Sequence, residues 1–153
     1  MNNASSNSTN KPLAAIILAA GKGTRMNSDL PKVVHECSGK PMVQWVVNAC
    51  NEVGSDRVIL VVGHGADIVK ERIPNCEFVL QEPQLGTGHA VLVCKDALSE
   101  FDGNILVLAG DGPLLRPSTT EAMLELHQDK NASATLATSV INDPTGYGRI
   151  VRK

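Results

Sequence analysis

From Leu13 onward, short apolar runs alternate with stretches in which apolar residues recur at helical spacing. The runs are LAAIIL from Leu13, RVILVV from Arg57, CEFVL from Cys76, NILVLA from Asn104 and SATLATSVI from Ser133. Continuous runs of this kind predict strands covered on both faces, as in a parallel sheet. Between the first two, Met42, Trp45, Val46, Ala49, Cys50 and Val53 fall at i, i+3, i+4, i+7, i+8 and i+11, with Pro41 near the start and Gly54 after the end. That spacing predicts an amphipathic helix with Trp45 in the core. Further helices are expected over 66–72 and 89–98. Another should begin near Ser118, capped by that hydroxyl while Glu121 reaches back, with Pro117 just outside. The alternation predicts an α/β fold, a Rossmann-like, open and mostly parallel sheet with helices on both faces.

Composition changes this picture at the edges. The first twelve residues, MNNASSNSTNKP, offer almost nothing to bury and are expected to form a disordered tail, leaving 13–153 as the domain. A length of 153 residues suits one core. The formal net charge is −2 and aromatic residues make up only 3%, so neither a basic stripe nor a base-stacking platform is present. A nucleic-acid or membrane-surface role is therefore not expected, and a small ligand is. Residues 13–20 are too short an apolar run to span a bilayer and lack the pattern of a secretory leader, which predicts a cytoplasmic protein. The N-x-[ST] sequons at Asn3, Asn7 and Asn131 are then chance matches. Cys37, Cys50, Cys76 and Cys94 lie far apart, so they are expected to be reduced core residues rather than a zinc site or a disulfide framework.

The candidate chemistry lies just after the apolar runs. In an open α/β sheet, ligands bind outside the carboxyl ends of the strands. Those ends carry Ala19-Ala20-Gly21-Lys22-Gly23-Thr24-Arg25, Gly63-His64-Gly65, Gln81 to Gly88, and Gly110-Asp111-Gly112-Pro113. Glycines let backbone N–H groups approach an anion, while Lys22, Arg25 and Lys32 suit phosphate charge. The loop is not a dinucleotide fingerprint, because Gly21-x-Gly23 is followed by Thr24, Arg25 and Met26 where a third glycine would be needed. A G-x-x-x-x-G-K-[ST] loop is absent as well. Nicotinamide chemistry and P-loop hydrolysis are therefore not expected.

Six stretches resemble the sugar-phosphate nucleotidyltransferases: LAAGKGTRM (18–26), LPKVVH (30–35), VVGHGAD (61–67), QLGTGHAV (84–91), GDGPLL (110–115) and DPTGYGRI (143–150). The last and QLGTGHA are similar to the N-acetylglucosamine-1-phosphate uridylyltransferases within that family. The resemblance implies transfer of UMP from UTP to N-acetylglucosamine-1-phosphate with release of pyrophosphate, a step of cell-wall precursor synthesis, using Mg²⁺. Arg25 and Lys32 would be catalytic, Lys22 would assist at the pyrophosphate, and Asp111 would hold the metal. Leu18, Ala19, Ala20, Gly21 and Gly23 match the nucleotide loop, and Gln81, Gly86 and Thr87 match positions that read uracil. Ala109 and Gly110 match the segment beside the ribose, and Gly148 a backbone contact to the sugar. That chemistry needs no histidine base, so His35, His64 and His89 are expected in structural roles. His127 suits the carboxyl end of its helix.

Proteins of this family continue well past GYGRI, with more sugar contacts, a second metal ligand and, in the full-length enzyme, a β-helix that makes them oligomeric. The resemblance thus implies a truncated chain, Arg149 to Lys153 being a strand interrupted in mid-sheet, and a homo-oligomer only where a C-terminal β-helix domain exists. Two other readings remain open at this level: a UTP-binding fragment without catalysis, and a nucleotidyltransferase of different base or sugar specificity.

Overall fold

Leu13–Leu18 forms the first strand, β1, and every residue of it up to Ile17 is buried. The computed structural model describes residues 11–152; the first ten, with the sequons at Asn3 and Asn7 and most of the expected tail, lie outside the described residues. Pro12 already joins the fold, its carbonyl accepting the Asn104 N–H at 2.8 Å. A short hairpin follows, β2 (Glu36–Cys37) and β3 (Lys40–Pro41), and then helix α1 (Met42–Glu52), strand β4 (Arg57–Val62) and helix α2 (Ala66–Arg72). Strand β5 (Glu77–Leu80), helix α3 (Thr87–Leu92) and strand β6 (Asn104–Ala109) complete the alternation, and helix α4 (Pro117–Asp129) comes last.

β5, β4, β1 and β6 pair in that order, all parallel, in one four-stranded sheet. The chain builds outward from β1 through β4 to β5, then returns to add β6 on the other side of β1. The order therefore reverses between β1 and β6, which opens a crevice at their carboxyl ends. Alternate residues of the central strands feed two cores. Ala15, Ile17, Leu60 and Val62 pack with Val43, Val46 and Val47 of α1 and Val69 of α2. Ile16, Ile59 and Val61 pack on the other face with Ala90 and Cys94. Helices thus cover both faces, as the alternation predicted.

The chain divides into two compact units, one running through Pro117 and one from Ser118 onward. The first holds the sheet. The second holds nearly all of α4 and the described residues after it, which form neither helix nor strand.

Several sequence expectations need correction. SATLATSVI is not a strand, and neither is the stretch from Arg149. A strand exists only through a paired neighbour, and no ladder partner meets either stretch among the described residues; Val140 is fully exposed. NILVLA is a strand but is not covered on both faces: Ile105 and Val107 are exposed while Leu106 is buried. α3 starts two residues earlier than expected and ends at Leu92, because the bonds from Cys94 and Lys95 tighten to the i−3 pattern. α4 begins at Pro117 itself, whose missing N–H costs nothing in a first turn, so Ser118 lies inside the helix rather than capping it.

Trp45 is only half-buried. Val43, Val46, Val47 and Cys50 form the buried face of α1 instead. The indole N–H donates to the Cys37 carbonyl at 2.8 Å, and the Lys40 ammonium sits 4.8 Å from the ring centroid. All four cysteines are free, Cys50 and Cys94 buried and the other two half-buried. Burial pushes the Cys50 thiol up to about 12 and Cys76 up to about 11. Among the described residues, no helix is long and apolar enough to cross a membrane.

Candidate active site

The glycine-rich loop leaves β1 as a continuation of the sheet. The Ala19 N–H donates to the Val61 carbonyl at 2.9 Å, and Ala20 accepts from the His64 N–H at 3.4 Å. Both alanines are buried, so they anchor the loop. The backbone then surfaces at Gly21 and Lys22 and turns at Gly23, which has φ +64°. A short 3₁₀ turn over Thr24–Met26 follows, carrying Arg25 into solvent, and a second over Lys32–Val34 brings the chain back. Gly23 is required twice over. Its backbone is left-handed, and a Cβ there would stand 2.5 Å from the Cβ of Lys32. The loop can therefore lie directly on the lysine.

β6 delivers the opposing group. The Gly110 N–H donates to the Leu18 carbonyl at 2.9 Å, which extends the β1–β6 pairing by one residue. A Cβ at Gly110 would sit 2.9 Å from that same oxygen. The next residue, Asp111, emerges at the mouth of the crevice and pairs with Lys32, Nζ to Oδ2 at 2.5 Å. The two residues stand 79 apart in the chain. Their side chains are 34% and 39% exposed, so the pair remains open to an incoming ligand. The Lys32 ammonium, bonded to it, holds the Asp111 carboxyl below the usual carboxylate range, with a smaller contribution from the charge of Arg25.

A cleft of about 390 Å³ lies between these loops. Leu18, Ala20, Gly21, Gly23, Lys32, Gln81, Gly86, Thr87, Ala109 and Asp111 line it, so most of the residues proposed from sequence share one cavity. Lys22 lines an adjoining hollow of about 440 Å³ with Gly63 and His64. Gln81 and Gln84 line both. Arg25 stands outside the lining and acts on it through charge, while Ala19 and Gly110 support it from the backbone. Gly148 is not in this unit. It lines a hollow of about 870 Å³ in the second unit with Leu136, Val140, Tyr147 and Ile150.

Val33, Gln84 and Ala90 also line the cleft and were missed in the sequence. Gln84 had a signal, as a second amide in the same glycine-rich stretch as Gln81. Val33 and Ala90 had none, since their apolar side chains look like any other core residue. The cleft's far wall is neutral. Gln81, almost fully buried, follows β5, and its side-chain amide donates to the Gly86 carbonyl at 2.9 Å and contacts His89 Nδ1 at 3.2 Å.

As a metal site the cleft is sparse. No group of three or more His, Cys, Asp or Glu side chains able to hold an ion occurs among the described residues. Among the described residues, Asp111 is the sole carboxylate lining the cleft. One carboxylate fits a hard ion that keeps waters and substrate phosphates as its remaining ligands, and does not fit an ion caged by protein.

Residues 15–150 match the MobA-like NTP transferase domain. The chain is 52% identical over 143 residues to the bifunctional protein GlmU of Geobacter metallireducens, which is 92% of this chain and 30% of that protein. It is 54% identical over 139 residues to bifunctional protein GlmU of Listeria welshimeri, 90% of this chain and again 30% of the relative. The chain thus spans under a third of the length of these curated relatives. Among solved structures, a nucleotidyl transferase from Methanothermobacter thermautotroptrophicus is similar with a TM-score of 0.64 at 27% identity, over 74% of this chain and 57% of the other.

Proposed function

This chain belongs to the MobA-like NTP transferase domain family, and from that premise we propose that its cleft binds UTP and serves the transfer of UMP to N-acetylglucosamine-1-phosphate. The observation that carries the reading is the Lys32–Asp111 pair, held across the β1–β6 crevice beneath the Gly21 to Gly23 loop. In the transfer, a phosphate oxygen of the sugar phosphate attacks the α-phosphorus of UTP, the bond to the β-phosphate bridging oxygen breaks, and pyrophosphate leaves with the electron pair.

No enzyme nucleophile is needed. The protein has to align two polyanions and stabilise the charge that shifts onto the leaving group. Lys32 and Arg25 supply fixed positive charge for that task, and Lys22 stands at the adjoining hollow. Backbone N–H groups of the exposed loop at Gly21 and Lys22 would take the triphosphate. Asp111 would hold a divalent ion, Mg²⁺ in this reading, arriving with the triphosphate; when bound, such an ion neutralises phosphate charge and orients the reacting groups. Gln81, Gly86 and Thr87 would take the base, and Ala109 and Gly110 the ribose.

The relatives named GlmU support the uridylyl assignment at more than half identity. A second reading, nucleotide binding without turnover, is favoured by the single carboxylate in the cleft. Pyrophosphate release by the purified chain with UTP, N-acetylglucosamine-1-phosphate and Mg²⁺, beside the Asp111→Ala variant, separates the two. Turnover that requires Asp111 supports transfer; UTP binding with no turnover from the folded chain supports the second reading; neither binding nor turnover refutes both.

A further inference from the structure

Gln81 is an unusual residue for the end of a strand. Its N–H continues the sheet by donating to the Val62 carbonyl at 2.8 Å, and its side chain is almost fully buried beside the cleft. A buried amide must place both of its N–H groups. Here both are placed. Nε2 donates to the Gly86 carbonyl at 2.9 Å, and it lies 3.2 Å from Nδ1 of His89, on the first turn of α3. An amide nitrogen has no lone pair to offer, so Nδ1 is the acceptor and the imidazole proton sits on Nε2.

The Gly86 carbonyl can only accept, so it holds the amide in one orientation, and in that orientation His89 Nδ1 accepts from the same nitrogen. Turning the amide over would set Oε1 against the Gly86 carbonyl oxygen. The group left over is Oε1. No described residue donates to it, and Gln81 lines the cleft.

We infer that His89 is a positioning residue for base selection: it locks the Gln81 amide so that Oε1 presents a lone hydrogen-bond acceptor to the nucleobase. This inference rests on the nucleotide-binding reading of the cleft. An acceptor pairs with a base that carries an imino N–H, as uracil does at N3, and opposes one with a lone pair in that place, as cytosine has. The selection therefore comes from an amide whose direction is set two residues inside α3. His89 does not touch the base and needs no charge.

The test is equilibrium binding of UTP and CTP to the full 153-residue chain, in wild type, His89→Leu and His89→Asn, with the fold checked by circular dichroism. Wild type is expected to prefer UTP. In His89→Leu the UTP-to-CTP ratio should fall about tenfold, the order of one lost hydrogen bond at a buried donor. UTP should weaken while CTP holds or tightens. His89→Asn keeps an acceptor near the position of Nδ1 and should retain most of the ratio. Long-range ¹H–¹⁵N spectra of the wild type should show the Nε2–H tautomer, a readout that needs no variant to fold.

An unchanged ratio in folded His89→Leu overturns the inference, as does the Nδ1–H tautomer or a wild type indifferent to the base. Each leaves nucleotide binding standing. A wild-type chain that binds no nucleoside triphosphate overturns the reading of the cleft, and the inference falls with it.

Discussion

The two ends of the cleft are built by opposite means. At the end proposed for phosphate, Lys32 and Asp111 are a third or more exposed, carry full charges, and are brought together by loops that glycine folds tightly. At the end proposed for the base, Gln81 is neutral, buried and held by two acceptors. Charge acts over distance and in any orientation, so a solvated loop can hold it. A neutral amide acts only in the direction it faces, and its direction has to be fixed by partners inside the fold.

The largest effect is expected from the charged end. Lys32→Met should lower turnover at least about a hundredfold, the scale on which removing one preorganised electrostatic contact acts. It should leave the UTP-to-CTP binding ratio unchanged. Pyrophosphate release and nucleotide titration on the same preparation measure both, and a shifted ratio would break the separation between the ends. Stability should change by less than about 1 kcal/mol, because a pair this exposed contributes little.

Gln81→Met is the mirror experiment. It should collapse the base preference about tenfold through loss of the acceptor, with turnover at saturating UTP within about threefold of wild type, since the amide serves binding of the base more than the reacting phosphates. A fall in saturated turnover as large as that of Lys32→Met would show that the two ends are not separable. Gly23→Ala falls between structure and chemistry. A side chain in left-handed backbone, pressed on Lys32, should cost about 1–2 kcal/mol in denaturant unfolding, with turnover lowered through a displaced Lys32.

What the sequence made legible follows the same division. LAAIIL, RVILVV and NILVLA match strand boundaries to the residue, because parallel strands are continuous apolar runs bounded by turn residues. SATLATSVI, with a serine or threonine at four of its nine positions, forms no strand, since pairing is not a property of the run itself. In α1, Val46, Ala49 and Cys50 of the expected stripe are buried, and Val43 and Val47 join them, while the bulkier Trp45 stays half-buried. Gly21, Gly23, Lys32 and Asp111 were legible because fixed charges and tight turns leave a residue-level signature. His89 looked like a structural histidine, which is how it touches its neighbours. Its consequence for the base becomes visible only with the orientation of Gln81, which lies eight residues away and is set by contacts no spacing reveals.

The smallest effect is predicted away from both ends. Arg57 and Glu77 open β4 and β5, at the amino-terminal edge of the sheet, whereas the cleft is at the carboxyl ends. The guanidinium binds Glu77 through Nε at 2.8 Å and Nη2 at 2.5 Å, and its Nη1 donates to the Ala97 carbonyl at 2.9 Å. The hydrogen-bonded Arg57 holds the Glu77 carboxyl below its ordinary 4.5. A carboxylate depressed in the folded state stabilises the fold at pH above its unfolded value, and that contribution is lost as pH falls through the folded value. Wild type and Glu77→Gln should therefore differ by less than about 1 kcal/mol above about pH 5, the range for exposed pairs, and converge in acid, as read by urea unfolding across pH. Turnover and base preference should not move. If Glu77→Gln altered either one, the sheet would be transmitting strain to its carboxyl ends, and neither end of the cleft could be treated as a local device.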